Sequence, residues 1–168
     1  LKKPLSLVIS GSAGEGVQLA AGLISKAALI SGLHVTQKGS YPVTVGVGFS
    51  TAEINLSNEH IRFHGINVPD MTIITSADGL AHNRKKIEAM KDGKVIIDSS
   101  LAVPETDAEV IQHDFRTLGA RNAAIFSVFF FALKTGIIST EAIFKVIENE
   151  GKAEKLPLAK IKEALSNL

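Results

Sequence analysis

Gly11-Ser12-Ala13-Gly14-Glu15-Gly16 stands between a β-branched apolar run, Leu5 to Ile9, and an apolar-periodic stretch that begins at Val17. Glycines at such a junction make a strand-to-helix turn, which offers unpaired backbone N–H groups at the positive end of a helix dipole. The chemistry this permits is the holding of a phosphate or another anion. A dinucleotide site is its simplest form, yet the spacing Gly11-x-Ala13-x-x-Gly16 lacks the middle glycine, and Thr36, Gln37 and Lys38 stand where a ribose-binding acid belongs. Glu15 complements the dipole but opposes a phosphate at the same spot. The residues alone leave open a second role for the glycines, a tight turn beneath a closely packed helix.

Other site chemistries find little in the chain. It has no cysteine, which excludes disulfides, thiolate zinc sites, iron–sulfur ligation and thiol nucleophiles within it. No Gly-Lys-Ser/Thr follows the glycines, and no Gly-x-Ser-x-Gly surrounds Ser10 or Ser12. His60 and His64 are four apart, but Ile61-Arg62-Phe63 between them alternates like a strand, so surface histidines are expected rather than metal ligands. Asp70, Asp78 and Asp98 each fall near a strand end, where turn and capping roles are expected because no second catalytic group pairs with them in sequence.

The elements that must position the turn follow from periodicity. Val17, Leu19, Ala20, Leu23, Ile24, Ala27, Ala28 and Ile30 recur at helical spacing, and Ser31-Gly32 ends that helix. Leu33 to Gln37 reads as a second strand, giving a right-handed βαβ start with a parallel sheet. Ser40 to Val47 carries Pro42 and Gly46 and reads as a binding loop. Phe49 to Leu56 alternates as a half-exposed strand, with a hairpin partner in Ile61-Arg62-Phe63. Met71 to Thr75 and Val95 to Ile97 are buried strands with a helix containing Ile87 and Met90 between them, and Val110 to His113 is a last strand. Helices are expected over Asn122 to Leu133, from Thr140, with that threonine as N-cap, to Glu148, and over Pro157 to Leu165.

Composition sets the frame. The 168 residues are 45% hydrophobic and 21% charged with a net charge of +1, the balance of a single globular domain without a nucleic-acid-binding face. The Phe-rich run Ala123 to Leu133 is too short to span a membrane and reads as a core helix, with an oligomerisation role as the alternative. The expected fold is a three-layer α/β/α domain over residues 1–168, with a mostly parallel, mixed sheet, a strand–glycine turn–helix start and C-terminal helices.

Read in order, Gly11 to Val17, the helix with Lys26-Ala27-Ala28, the loop Ser40-Tyr41-Pro42, Ala52-Glu53-Ile54 and Asn122-Ala123-Ala124 make the chain resemble the gamma subunits of 2-oxoacid:ferredoxin oxidoreductases, of the pyruvate, 2-ketoisovalerate or 2-oxoglutarate type. Pro69-Asp70 and Gly93 ahead of Val95-Ile96-Ile97-Asp98 belong to the same resemblance, which covers nearly the whole chain. It implies a subunit of a cytoplasmic complex that decarboxylates a 2-oxoacid oxidatively to acyl-CoA and passes electrons to ferredoxin. Thiamine diphosphate, magnesium and iron–sulfur clusters would then lie on sister subunits, the isolated chain would be inactive, and this chain would serve the coenzyme A side.

Carried over residue by residue, the implied coenzyme A contacts are Gly11, Ser12, Gly14, Glu15 and Gly16, with Ser40, Tyr41 and Asn122 as further ones, and no catalytic or metal residue. Ala13 replaces a family glycine, and Gly46-Val47-Gly48 stands where members commonly carry Arg-Gly-Gly, so a cationic contact is missing there. The alternative function is a free-standing nucleotide-binding regulatory domain that uses the same turn.

Overall fold

A computed structural model describes residues 1–42 and 46–168. Strand β1 (Leu5–Ser12) leads into helix α1 (Val17–Ile30), followed by β2 (His34–Ser40), β3 (Phe49–Ser57), β4 (Met71–Ile74), α2 (Ala77–Ala89), β5 (Lys94–Asp98) and β6 (Glu109–His113). Helices α3 (Ala123–Thr135), α4 (Thr140–Asn149) and α5 (Leu158–Ser166) complete the chain. Among the described residues the strands form one sheet in the order β2-β3-β1-β4-β5-β6.

The sheet is mixed: β1 and β2 run in the same direction on either side of α1, as the βαβ start requires, but they are not neighbours, so the expectation of a parallel pair there is corrected. Strands β1 and β2 are separated by β3, which runs antiparallel to both, while β1, β4, β5 and β6 are mutually parallel. The hairpin expectation is corrected as well: β3 pairs with the preceding β2, and Ile61-Arg62-Phe63 has no regular structure. Nor is β3 half-exposed. Thr51, Ala52, Ile54, Asn55, Leu56 and Ser57 are buried, because the polar positions of the alternating pattern lie under α2 and the 60–68 segment instead of facing water.

Alternation within the strands builds two cores. Leu7 and Ile9 of β1, Ile54 and Leu56 of β3, Ile73 of β4 and Ile96 of β5 share one core with the apolar faces of α1, α3, α4 and α5. Ile74, Val95 and Ile97 point the other way, onto Leu80, Ile87 and Met90 of the α2 segment. The Phe-rich helix α3 is core: Phe126, Phe129, Phe130 and Phe131 are buried, and Leu133 at its end is exposed. Ser139 rather than Thr140 caps α4, its hydroxyl accepting from Ala142 N at 3.0 Å. Thr140 is already helical, so the cap lies one residue earlier than the apolar periodicity suggests.

Candidate functional site

The glycine turn lies where the chain leaves β1 for a helix on one face of the sheet while the adjacent parallel strand β4 leaves for a helix on the other. This crevice at the carboxyl ends of β1 and β4 is the place where open α/β sheets hold ligands.

Strand β1 runs further than the apolar run predicted, through Gly11 and Ser12, which pair with Ser50 and Phe49 of β3. The turn proper is therefore residues 13–16. Gly11 answers to packing: a β-carbon there would strike the Thr75 hydroxyl and meet Val17, and a β-carbon on Gly79 of α2 would come within 2.6 Å of Gly11 N. Gly14 and Gly16 both hold φ near +81°, a region that favours glycine. Gly14 is exposed with open space around it, whereas Gly16 lies against the carbonyl of Arg121 at the start of α3. No side chain caps α1, in contrast to α2 and α4, so its first N–H groups face the turn without a side-chain partner.

The structure places the remaining sequence candidates at the end of β2, just after it, and just before α3. Ala13 N donates to Gly48 O at 2.9 Å, and Gly48 packs close to Pro42, which draws the loop after Tyr41 to the turn. Tyr41 is 67% exposed. Ser40 closes β2 opposite Thr51. Val43, Thr44 and Val45 of the expected binding loop lie outside the described residues. Asn122 stands just before α3 and donates from Nδ2 to Leu118 O at 2.8 Å, so part of its amide is committed to its own turn. Gln18 escaped the sequence reading although it ties the elements together: its Nε2 donates to Ser50 Oγ and Thr51 O, both at 2.9 Å, and its amide fills the space beside Gly39.

On the far side of Ser12 opens a crevice of about 260 Å³ lined by Ser12, Ser76, Ala77, Asp78, Ser100, Leu101 and Arg116. Ser12 Oγ lies 2.7 Å from Asp78 Oδ2 and 2.8 Å from Ser76 Oγ. A hydroxyl has one proton, so Ser12 donates to the carboxylate and accepts from Ser76, whose oxygen also accepts Gly79 N and caps α2. A larger cleft of about 350 Å³, lined by Glu88, Lys91, Glu105, Thr106 and Asp107, lies at the opposite end of the sheet, away from the turn.

Arg116 is the residue beside the turn that the sequence does not point to. Its Nη1 and Nη2 each donate to Glu15 at 2.9 Å, one to each carboxylate oxygen, and Nη1 also donates to Thr75 O at 3.1 Å. The hydrogen bond with Glu15 raises the guanidinium pKa above its ordinary value, against the opposing effect of burial. The expectation that Glu15 opposes an anion is thereby corrected, since its charge is met across 101 residues of sequence. An acid in a glycine turn with no cation near it in sequence is the signal that points to such a partner.

Three contacts hold Arg116 there. Phe115 is fully buried among Phe126, Phe130 and the His113 ring, Phe115 N donates to Asp98 Oδ2 at 2.8 Å, and Asp114 accepts Arg116 N at 3.1 Å. Asp98 thus serves the turn role expected of it, accepting also from Ser100 N. Asp70 accepts Ser6 N at 2.8 Å, and its carbonyl leaves no room for a β-carbon on Gly93, so the Pro69-Asp70 and Gly93 features join β1, β4 and β5. At the outer rim Phe49 stacks on His82 with ring centroids 3.7 Å apart. Burial and then Lys86 hold His82 below the usual histidine range. Among the described residues no group of three or more His, Asp or Glu could hold a metal, and no helix is long and apolar enough to cross a membrane.

A three-layer α/β domain with an uncapped glycine turn beside a crevice at its switch point has its opening where open α/β sheets hold ligands. Residues 6–165 match the family model for pyruvate ferredoxin/flavodoxin oxidoreductase, and the chain belongs to that family. It is 27% identical over 165 residues to the 2-oxoglutarate synthase subunit KorC of Methanocaldococcus jannaschii, covering 90% of this chain and 87% of that one. The same-named subunit of Methanothermobacter marburgensis is 32% identical over 96 residues, and there the chain spans 50% of the relative's length.

Among solved structures, the 2-oxoglutarate:ferredoxin oxidoreductase of Magnetococcus marinus, with 2-oxoglutarate, coenzyme A and succinyl-CoA bound, superposes with a TM-score of 0.84 at 18% identity. That likeness takes in 99% of this chain and 30% of the larger one. The gamma subunit of a keto/oxoacid ferredoxin oxidoreductase from Geobacter sulfurreducens gives 0.69 at 20% identity, over 94% and 90% of the two chains. The family expected from the order of motifs is the family found.

Proposed function

We propose that this chain is the gamma-type subunit of a 2-oxoacid:ferredoxin oxidoreductase, and that its glycine turn forms part of the enzyme's coenzyme A side. The observation that carries the reading is the match over residues 6–165 to a family of such enzymes, combined with the neutralised, uncapped turn at the end of β1. The likeness to the Magnetococcus marinus enzyme, which was solved with coenzyme A, supports the same assignment.

The donor set fits the phosphates of coenzyme A. Gly14 leaves the backbone open to a ligand, and the first N–H groups of α1 are available to an anion. The role of this chain is to bind and orient; with no cysteine it cannot ligate an iron–sulfur cluster through thiolates. Decarboxylation, thiamine chemistry and electron transfer to ferredoxin fall to sister subunits, in an assembly we place in the cytoplasm.

Two measurements test this. Mass spectrometry of the native assembly should find thiamine- and cluster-bearing partner chains, and their absence would sink the subunit assignment. Gly14→Leu should leave the chain folded, because the space around Gly14 is open, at a cost of about 1–2 kcal/mol for the left-handed backbone. It should raise the KM for coenzyme A at least several-fold, while an unchanged KM would reduce the turn to a packing device.

A further inference from the structure

We propose that Arg116 is a positioning residue that sets the charge of the coenzyme A side: by discharging Glu15 it lets an anionic ligand approach the glycine turn. The proposal rests on the reading of that turn as an anion site. Glu15 sits inside the turn, so its carboxylate lies at the mouth that a phosphate must pass. Its side chain is 15% exposed and that of Arg116 is 32% exposed, so the pair is partly withdrawn from solvent, and charge at this point is screened less than on an open surface.

The pair is bidentate, the geometry in which a guanidinium cancels a carboxylate most completely. The bond to Thr75 O ties the same guanidinium to the end of β4, and the buried Phe115 beside it fixes the backbone. Two other acids stand close by, Asp78 in the crevice lining and Asp98 near Arg116. Asp98 is consumed by Ser100 and Phe115 N, and Asp78 is met by Ser12 and by the N-terminus of α2, in whose first turn it lies. Among the described residues that line the crevice, Arg116 is the cation. The Gly46-Val47-Gly48 loop offers none either. Arg116 therefore supplies, from a different element, the positive charge that balances the turn.

The test is a charge ladder on the full chain in its native assembly, titrated with coenzyme A and with inorganic pyrophosphate, alongside KM and kcat for coenzyme A. Relative to the parent, Glu15→Gln adds one positive charge, Arg116→Gln removes one, and the double variant restores the balance. The expected order of affinity is Glu15→Gln tightest, parent and double variant close together, and Arg116→Gln weakest by roughly 3- to 30-fold, with the spread shrinking as salt rises. The effect should fall on KM rather than kcat.

A purely structural role gives a different pattern, since the double variant lacks the paired side chains as much as the single one does. A double variant as weak as Arg116→Gln therefore overturns the proposal, as does equal affinity in all four forms. Loss of coenzyme A and pyrophosphate binding in every form, the parent included, overturns the reading of the turn itself and this proposal with it.

Discussion

At Glu15 two local demands conflict, since an acid suits the start of a helix while the role we propose for the same turn is to receive an anion. The structure resolves the conflict with Arg116, a residue the sequence reading left unremarked because nothing within 100 positions marks it as a partner. The glycines divide by a similar test. Gly14 and Gly16 adopt a backbone that favours glycine, while Gly11 and Gly79 are needed for closeness, as α2 lies directly on the end of β1. Gly79→Ala should therefore push α2 from the sheet and cost about 1–3 kcal/mol, read as a lower urea midpoint. An unchanged midpoint would mean that the contact relaxes freely. Packing accounts for Gly11, while a ligand role for the backbone at Gly14 and Gly16 is the reading proposed above.

Among the elements, the link between α1 and α4 is electrostatic at its rim. Glu150, just after α4, is met by Lys152 at 2.6 Å and by Lys26 of α1, and hydrogen bonds from Lys152 and then Lys26 hold its carboxyl below the ordinary value of 4.5. A depressed carboxylate pKa stabilises the fold above its unfolded value, and that contribution is lost as pH falls through the lower, folded value. Glu150→Gln should thus lower the melting temperature slightly at pH 7, in keeping with the modest worth of exposed pairs, and the gap to the parent should narrow as the pH falls below the ordinary carboxylate value. A gap that stayed constant on acidification would assign the effect to packing.

Strand and helix identities were legible in the periodicity, and β4, β5, β6 and α1 fall close to where it placed them. The failures share one cause. Alternation in β3 was read as one wet face, but α2 and the 60–68 segment cover that face with polar contacts such as Lys86 with Glu53 at 3.0 Å. Covered polar faces and solvated ones look alike in sequence.

Across the whole molecule, the aromatic core of α3 carries the site at a distance. Phe126 and Phe130 pack edge-on against Phe115, whose neighbour Arg116 closes the turn from the opposite end of the sequence. Phe126→Ala should cost about 3–5 kcal/mol in stability and, at temperatures where the variant is still folded, weaken coenzyme A binding. Calorimetric melting combined with ligand titration checks both, and full retention of binding would separate the core from the site.

The sequence by itself determined the strand–glycine turn–helix opening, the buried strands, the helices after residue 120, the exclusion of thiolate chemistry and, through the order of its motifs, the family, because all of these are local or serial properties of the chain. Only the tertiary structure decided that β3 inserts between β1 and β2, that Gln18 and Gly48 draw loop and strands to the turn, and that Arg116 meets Glu15. Those facts depend on pairings between segments far apart in sequence, and burial, strand register and charge balance fix such pairings only once the sheet is assembled.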